Sequence, residues 1–426
     1  MPFSADFLRM MLPLIAVLAV APTAPASPQP DHVDVSTLTG KLVVGFQGWF
    51  MCPGDGRPRG GWGHWFTENT PNAAHMHFDL LPDVSELSQR ERCPTDLRTV
   101  DGQPIFLFSD QNPATVLRQF TWMRQYGISS VALQRFLVGL DTRRPAADLP
   151  AVDRVLDNVR TAAERTGRGF FVMYHIVGAD PQRWADLLAQ DWHRLMAAGV
   201  TRSPAYQRHR GRPVLAIAGV GSHDRPGTAA QMADLLARLR RDSAADGGVT
   251  LLGATATGWR TLDGDAQQDP AWTTVYRSFD VLSPWTVGRY RDAASFARFR
   301  RERLRPDMAE ARRHGIDYMP VIFPGFSWRN LFHAVRHVDK PLDEIPRLCG
   351  DFLNMQAEAA TGDGATMLYG AMFDEVDEGT ALFKLVPDRA GLPANAPAIA
   401  LDEDGCRMGS DGYLRIAGEI GRKLRR

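Results

Sequence analysis

The sequence has no excess of either charge, no apolar run long enough to cross a membrane, and few cysteines. Lys+Arg and Asp+Glu both total 49, giving zero net charge, so the chain carries no electrostatic footprint for nucleic acid or an anionic membrane. The apolar stretch Met10 to Ala21 is shorter than the about 20 residues a bilayer span needs. With Arg9 before it and the small residues Ala24-Pro25-Ala26 after it, the stretch reads as an export signal over residues 1–26. No Cys follows it to take a lipid. The expectation is a secreted or periplasmic chain with no membrane span in residues 27–426. There is no Gly-Lys-Ser/Thr phosphate loop, no Gly-x-Ser-x-Gly elbow, and no Gly-x-Gly-x-x-Gly turn after the first strand. These absences argue against a P-loop nucleotide site, an esterase elbow and a dinucleotide fold. No internal repeat is visible.

The four cysteines, Cys52, Cys93, Cys349 and Cys406, match no zinc-knuckle spacing. An even count in an exported chain favours disulfides, and three connectivities are open. Cys52–Cys93 with Cys349–Cys406 is favoured, because each pair ties off one excursion from the core. Free buried thiols are the alternative.

What is present is 44% hydrophobic residues, ample for a large core, and ten Trp, many in Gly/Pro-rich segments. Apolar or β-branched runs alternate with amphipathic stretches. The strands are expected over 42–46, 130–134, 170–175, 214–218, 250–254, 281–284, 318–323 and 368–373. Helical patterns fall at 114–126, 151–166, 181–198, 228–242, 293–314 and 346–360, with a last one at 411–424. The link between the fifth and sixth strands reads as loop. Continuously apolar strands alternating with helices imply a parallel sheet covered on its outer face. Eight of them imply closure into a (β/α)8 TIM barrel over 27–426, a doubly wound open sheet being the alternative. The segment between the first strand and the first helix is long and rich in Gly, Trp and Pro. In a barrel it lies on the C-terminal face, where active sites form.

The segment Leu368–Thr380 (LYGAMFDEVDEGT) places four carboxylates within five residues at the end of the last strand. Like charges so close repel one another, which raises the proton affinity of one member over another. Breaking a glycosidic bond needs one protonated and one ionised carboxyl group. The same pattern also fits a solvated acidic turn or a cation site. For Glu375 and Glu378 to converge, the chain must leave extended geometry between them, because a strand points residues three apart to opposite faces. Gly379 would help such a turn.

The segment resembles the Phe-Asn-Glu-Trp-His-Glu-Gly-Thr motif of glycoside hydrolase family 99 endo-α-mannosidases and the bacterial 71/99-like glycoside hydrolases, which read Phe-Asp-Glu-x-Asp-Glu-Gly-Thr. The first strand and loop, with Gly45-Phe46-Gln47-Gly48-Trp49-Phe50 and Trp62-Gly63-His64-Trp65, are similar as well, as is the closing stretch Ser410-Asp411-Gly412-Tyr413-Leu414-Arg415. The resemblance implies a glycoside hydrolase that retains stereochemistry and cuts within an α-linked glycan, mannan-like or α-glucan. It assigns Glu378 as acid/base and Glu375 as the base for the sugar 2-hydroxyl. Val376 and Asp377 stand where the family has Trp and His, which weakens any inference to mannan. A non-catalytic carbohydrate-binding protein on the same barrel is the alternative function.

The remaining candidates are substrate contacts. Asp374 would bond a sugar hydroxyl or cap backbone amides. Trp62, His64 and Trp65 lie in a Gly-rich loop able to approach a sugar ring. Arg135, Tyr174, His175 and Trp285 stand at or just beyond strand ends. His75-x-His77 invites a metal reading, but no Lys or lone Asp at a strand end completes a metal set, so neither metal nor cofactor is expected.

Overall fold

The computed structural model describes residues 32–425 apart from Arg59 and Ala146, so the expected export signal lies outside the described residues. Eight parallel strands form the core: β1 (Lys41–Phe46), β2 (Ser130–Phe136), β3 (Gly169–His175), β4 (Arg212–Val220), β5 (Thr250–Thr255), β6 (Val281–Leu282), β7 in two halves (Asp317–Tyr318 and Val321–Ile322), and β8 (Met367–Gly370). Each strand pairs with the next, and β1 also pairs with β8, Lys41 standing opposite Met367.

The ring closes at β7. Its first half pairs with β6 and its second half with β8. Pro320 lies between the halves and has no N–H to offer either neighbour, so the handover falls there. The Met319 amide still reaches the Leu282 carbonyl, and the Pro320 carbonyl accepts from the Tyr369 amide. The fold is therefore the expected barrel rather than an open sheet.

The helices follow their end signals. Pro113–Tyr126 starts on an Asn112 side chain that accepts from the Ala114 amide, and it stops at Gly127 in the left-handed region. Ala229–Asp242 opens with a reciprocal cap between Thr228 and Gln231. The helical run expected over 293–314 is interrupted by a π turn at Arg300–Leu304, just before Pro306 removes a backbone donor. Two expectations need correction. The link between β5 and β6 contains a short helix, Trp272–Arg277, and β8 ends at Gly370 rather than Phe373.

After β1, the long loop folds on itself. It holds a hairpin of Cys93–Arg98 with Pro104–Leu107, and Trp65 packs among Phe50, Phe78 and Phe108. Both expected disulfides are present, Cys52–Cys93 within this loop and Cys349–Cys406 between the loops that follow β7 and β8. Among the described residues no helix is long and apolar enough to cross a membrane.

Candidate active site

The floor of the C-terminal mouth is made by Tyr369, Met372 and Gln134, with Gly45 beneath them. A Cβ on Gly45 would lie within 2.3 Å of both the Met372 sulfur and the Tyr369 hydroxyl, so a side chain there would displace them. The Gln134 amide donates to the Tyr369 hydroxyl at 3.1 Å.

Beyond Gly370 the chain leaves extended geometry and turns back. The Thr380 amide donates to the Glu375 carbonyl at 3.0 Å, and the Met372 amide donates to the Thr380 carbonyl at 3.2 Å. Gly379 has a left-handed φ of 68°, and a Cβ there would stand 2.6 Å from the Ser327 amide nitrogen. The Ser327 amide in turn donates to the Glu378 carbonyl at 3.0 Å, which ties the turn to the loop after β7. This is the local geometry that convergence of Glu375 and Glu378 requires.

The four carboxylates of the turn are treated differently. Asp374 is fully buried and accepts from the Gln47 and Gly48 amides at 2.8 and 2.9 Å. It caps the start of the long loop, one of the two roles expected of it. Burial pushes its carboxyl up to about 7 against the pull of those amides. Close by, Asp110 is also fully buried; burial and the Asp374 charge push its carboxyl well above the usual range.

Glu375 accepts from the Gln47 side-chain amide at 2.5 Å and from the Thr380 hydroxyl at 2.8 Å. Burial, then the charges of Glu378 and Asp377, push it well above the carboxylate range. Glu378 is the one carboxylate of the four that is only half-buried, and no described side chain donates to it. Burial and then the Asp377 charge push it up to about 7, while Arg225 pulls it down. The Thr380 and Gln47 donors act against that rise at Glu375, whereas Glu378 has no such donor.

His64 lies in the long loop after β1. Its side chain is 41% exposed, its Nδ1 lies 3.3 Å from Asp377, and its ring stacks on Trp49 at 3.8 Å. His175 stands on the inner face of β3, stacked on Phe136 at 4.8 Å. Its Nδ1 accepts from the Val177 amide, and burial with nearby Arg225 lowers its pKa to about 3, so the ring is neutral with its proton on Nε2. Trp285 is half-buried beside Tyr369.

The other expected contacts are corrected. Trp65 is fully buried, its indole nitrogen donating to the Phe108 carbonyl, and Trp62 is buried against Phe66. Arg135 and Tyr174 are adjacent on paired strands and face outward, where both bind Asp191. Strand-end position sets a residue's height, but the two-residue period sets its face; Gln134 points inward, so Arg135 cannot.

Sequence reasoning did not single out Arg225, Phe136, Gln47, Trp49 or Asp110. Gln47 and Trp49 carried a signal, standing just past a strand end, whereas Arg225 lies in a loop without a pattern. The His75-x-His77 pair does not act together: His75 bonds Thr67, and burial lowers the pKa of His77 to about 4. Among the described residues no three His, Cys, Asp or Glu side chains are placed to hold a metal ion.

The fold and mouth define a parallel (β/α)8 barrel with an acidic turn after its last strand. No family model and no curated protein matches the sequence. Among solved structures, the chain is similar to the GH99 endo-alpha-mannosidase from Bacteroides thetaiotaomicron. The TM-score is 0.62 at 14% identity, over 92% of this chain and all of that one. The same enzyme in complex with bis-tris-propane gives 0.61 at 15% identity, over 91% and 98%. A structure described as a glycoside hydrolase-like protein gives 0.52 at 12%, over 93% and 97%. At these identities what is shared is the fold.

Proposed function

We propose that the chain is an exported, retaining glycoside hydrolase that cuts within an α-linked glycan, with one catalytic domain over 27–426 behind a leader at 1–26. The observation that carries this is a single turn at the barrel mouth bearing Glu375 and Glu378, close enough for the Glu378 charge to raise Glu375's hold on a proton. Their setting divides the labour. Half-buried Glu378 gives its proton to the leaving glycosidic oxygen. Glu375, held by Gln47 and Thr380, takes the proton of the sugar 2-hydroxyl, whose oxygen bonds to the anomeric carbon as the leaving group departs. A water then gives its proton to Glu378 and attacks that carbon. The 2-oxygen recovers its proton from Glu375, and two inversions retain the configuration. No cofactor takes part.

The similarity of fold to an endo-α-mannosidase supports an α-linked glycan, mannan-like or α-glucan, as the substrate class. The test is incubation of the purified protein with α-mannan and α-1,3-glucan oligosaccharides, following reducing ends and product anomer by NMR. Release with retention is expected, and Glu378→Gln should abolish it while oligosaccharide binding persists. Binding without release by the unaltered protein would sink the hydrolase reading in favour of a lectin-like one.

A further inference from the structure

The loop after β7 carries a helix, Arg329–Arg336, that is held by its polar side. Asp79 accepts from the Arg329 and Asn330 amides at 2.7 and 2.9 Å. The buried Asn330 side chain donates to the Phe78 and Pro397 carbonyls at 2.9 and 2.7 Å. The helical period then puts Trp328, Leu331, Phe332 and Val335 on the opposite side. Val338 joins them where the chain turns at His337, its amide donating to the Phe332 carbonyl at 3.4 Å. Val335 is 56% and Val338 44% exposed, while Leu331 and Phe332 are half-buried, and none of these four belongs to the core. A helix normally turns such a stripe inward. Left outside, it marks a surface that meets something else.

Charge says what that is. The Lys340 ammonium lies 5.4 and 5.2 Å from the Trp328 and Phe332 ring centres, and the Arg336 guanidinium lies 5.4 Å from that of Phe332. With Arg329, three cations border the stripe. The acids nearby are engaged: Asp339 meets the His333 ring at 3.0 Å, Glu344 accepts from the Trp328 indole at 2.9 Å, and Asp343 is half-buried with its amide on the Ser327 hydroxyl. The zero net charge of the whole chain hides this local excess. Rings and valines capped by cations suit the boundary of an anionic bilayer, where the apolar groups enter the acyl layer and the cations stay among the phosphates. A second copy of the chain fits less well, because a two-fold contact through the stripe would set these cations against their own copies.

We propose that this helix docks the protein on an anionic lipid surface, lying in its interface without spanning it. The Ser327 amide on the Glu378 carbonyl at 3.0 Å, and Arg347 on the Gly379 and Ala381 carbonyls at 2.9 and 2.7 Å, join the loop to the acidic turn. Docking therefore fixes how the barrel mouth stands over the lipid.

The test is vesicle sedimentation with purified residues 27–426, which contain the whole barrel and omit the apolar stretch at 10–21. Vesicles of phosphatidylcholine and phosphatidylglycerol in equal parts should carry the protein down, and phosphatidylcholine alone should carry far less. Val335→Asp with Val338→Asp alters two exposed side chains, so the melting temperature should hold while binding falls ~10-fold or more. Arg336→Gln and Lys340→Gln should each weaken binding about fivefold, and added salt should act in the same direction. No sedimentation with anionic vesicles, equal sedimentation with neutral ones, or full binding by the double aspartate variant overturns the proposal. So does a dimer in analytical ultracentrifugation that the double variant abolishes, which would make the stripe a contact between copies. The readout is lipid binding, so a protein that releases no sugar can pass this test and a glycosidase can fail it.

Discussion

Two sets of buried carboxylates stand on either side of the same barrel wall, and their surroundings are opposite. On the outer side, Asp191 receives Arg135 at 2.5 Å, Arg194 at 2.7 Å and the Tyr174 hydroxyl at 2.7 Å, while Asp153 joins from the neighbouring helix. Those donors, acting against burial, hold Asp191 below the usual carboxylate range. On the inner side, Asp374, Glu375 and Glu378 have no guanidinium or ammonium in hydrogen-bond contact among the described residues, and all three are pushed up. Complete pairing marks the first set as structure. The second keeps repulsion that a merely structural turn would have relieved, which is what the proposed acid–base role would use.

Substitutions should separate the two sides. Glu375→Gln should cut turnover by ~10³-fold or more, with no loss of thermal stability, because it removes a buried repulsive charge. Turnover within tenfold of the parent would place the base elsewhere. Asp191→Asn should do the reverse. It leaves Arg135 buried and underpaired, at a cost of ~3–5 kcal/mol in denaturant unfolding, while turnover per folded molecule stays unchanged.

Smaller effects sharpen the contrast. Asp374 and Asp110 both hold protons more tightly when folded than the ~3.9 of an unfolded aspartate. Their contribution to stability is therefore complete below pH ~4 and is lost as pH rises through about 7, the folded value of Asp374. Unfolding free energy should drop on the order of 2 kcal/mol between pH 5 and pH 8, and Asp110→Asn should flatten that slope. A rising slope over that interval would break the picture. The smallest effect is expected at the rim. Trp285→Ala should raise KM by up to ~10-fold with kcat intact, whereas Trp62→Phe, buried in its loop, should leave KM alone.

Legibility followed the physics of each signal. Strand order and barrel closure came from apolar runs, because burial on both faces writes itself into composition at every position. The turn was legible because four carboxylates in five residues have few structural explanations. Arg135 and Tyr174 misled because their rank along the strand was readable while the inward-facing parity was not. Trp62 and Trp65 misled because a Gly-rich loop that packs its own core has the same composition as one that offers rings to sugar. Arg225 was invisible, since its value lies in the distance to Glu378, which only the folded chain sets.

The two disulfides have a consequence of their own. Both lie in loops at the open end, and neither crosses the barrel wall. Cys52 sits three residues beyond Trp49, in the loop that carries His64, so this bond steadies the furniture of the cleft more than the frame around it. A molecule stripped of its crosslinks should keep its eight-stranded cylinder and lose its grip on the sugar. On that expectation shape and competence mature separately, and only the second waits on an oxidant.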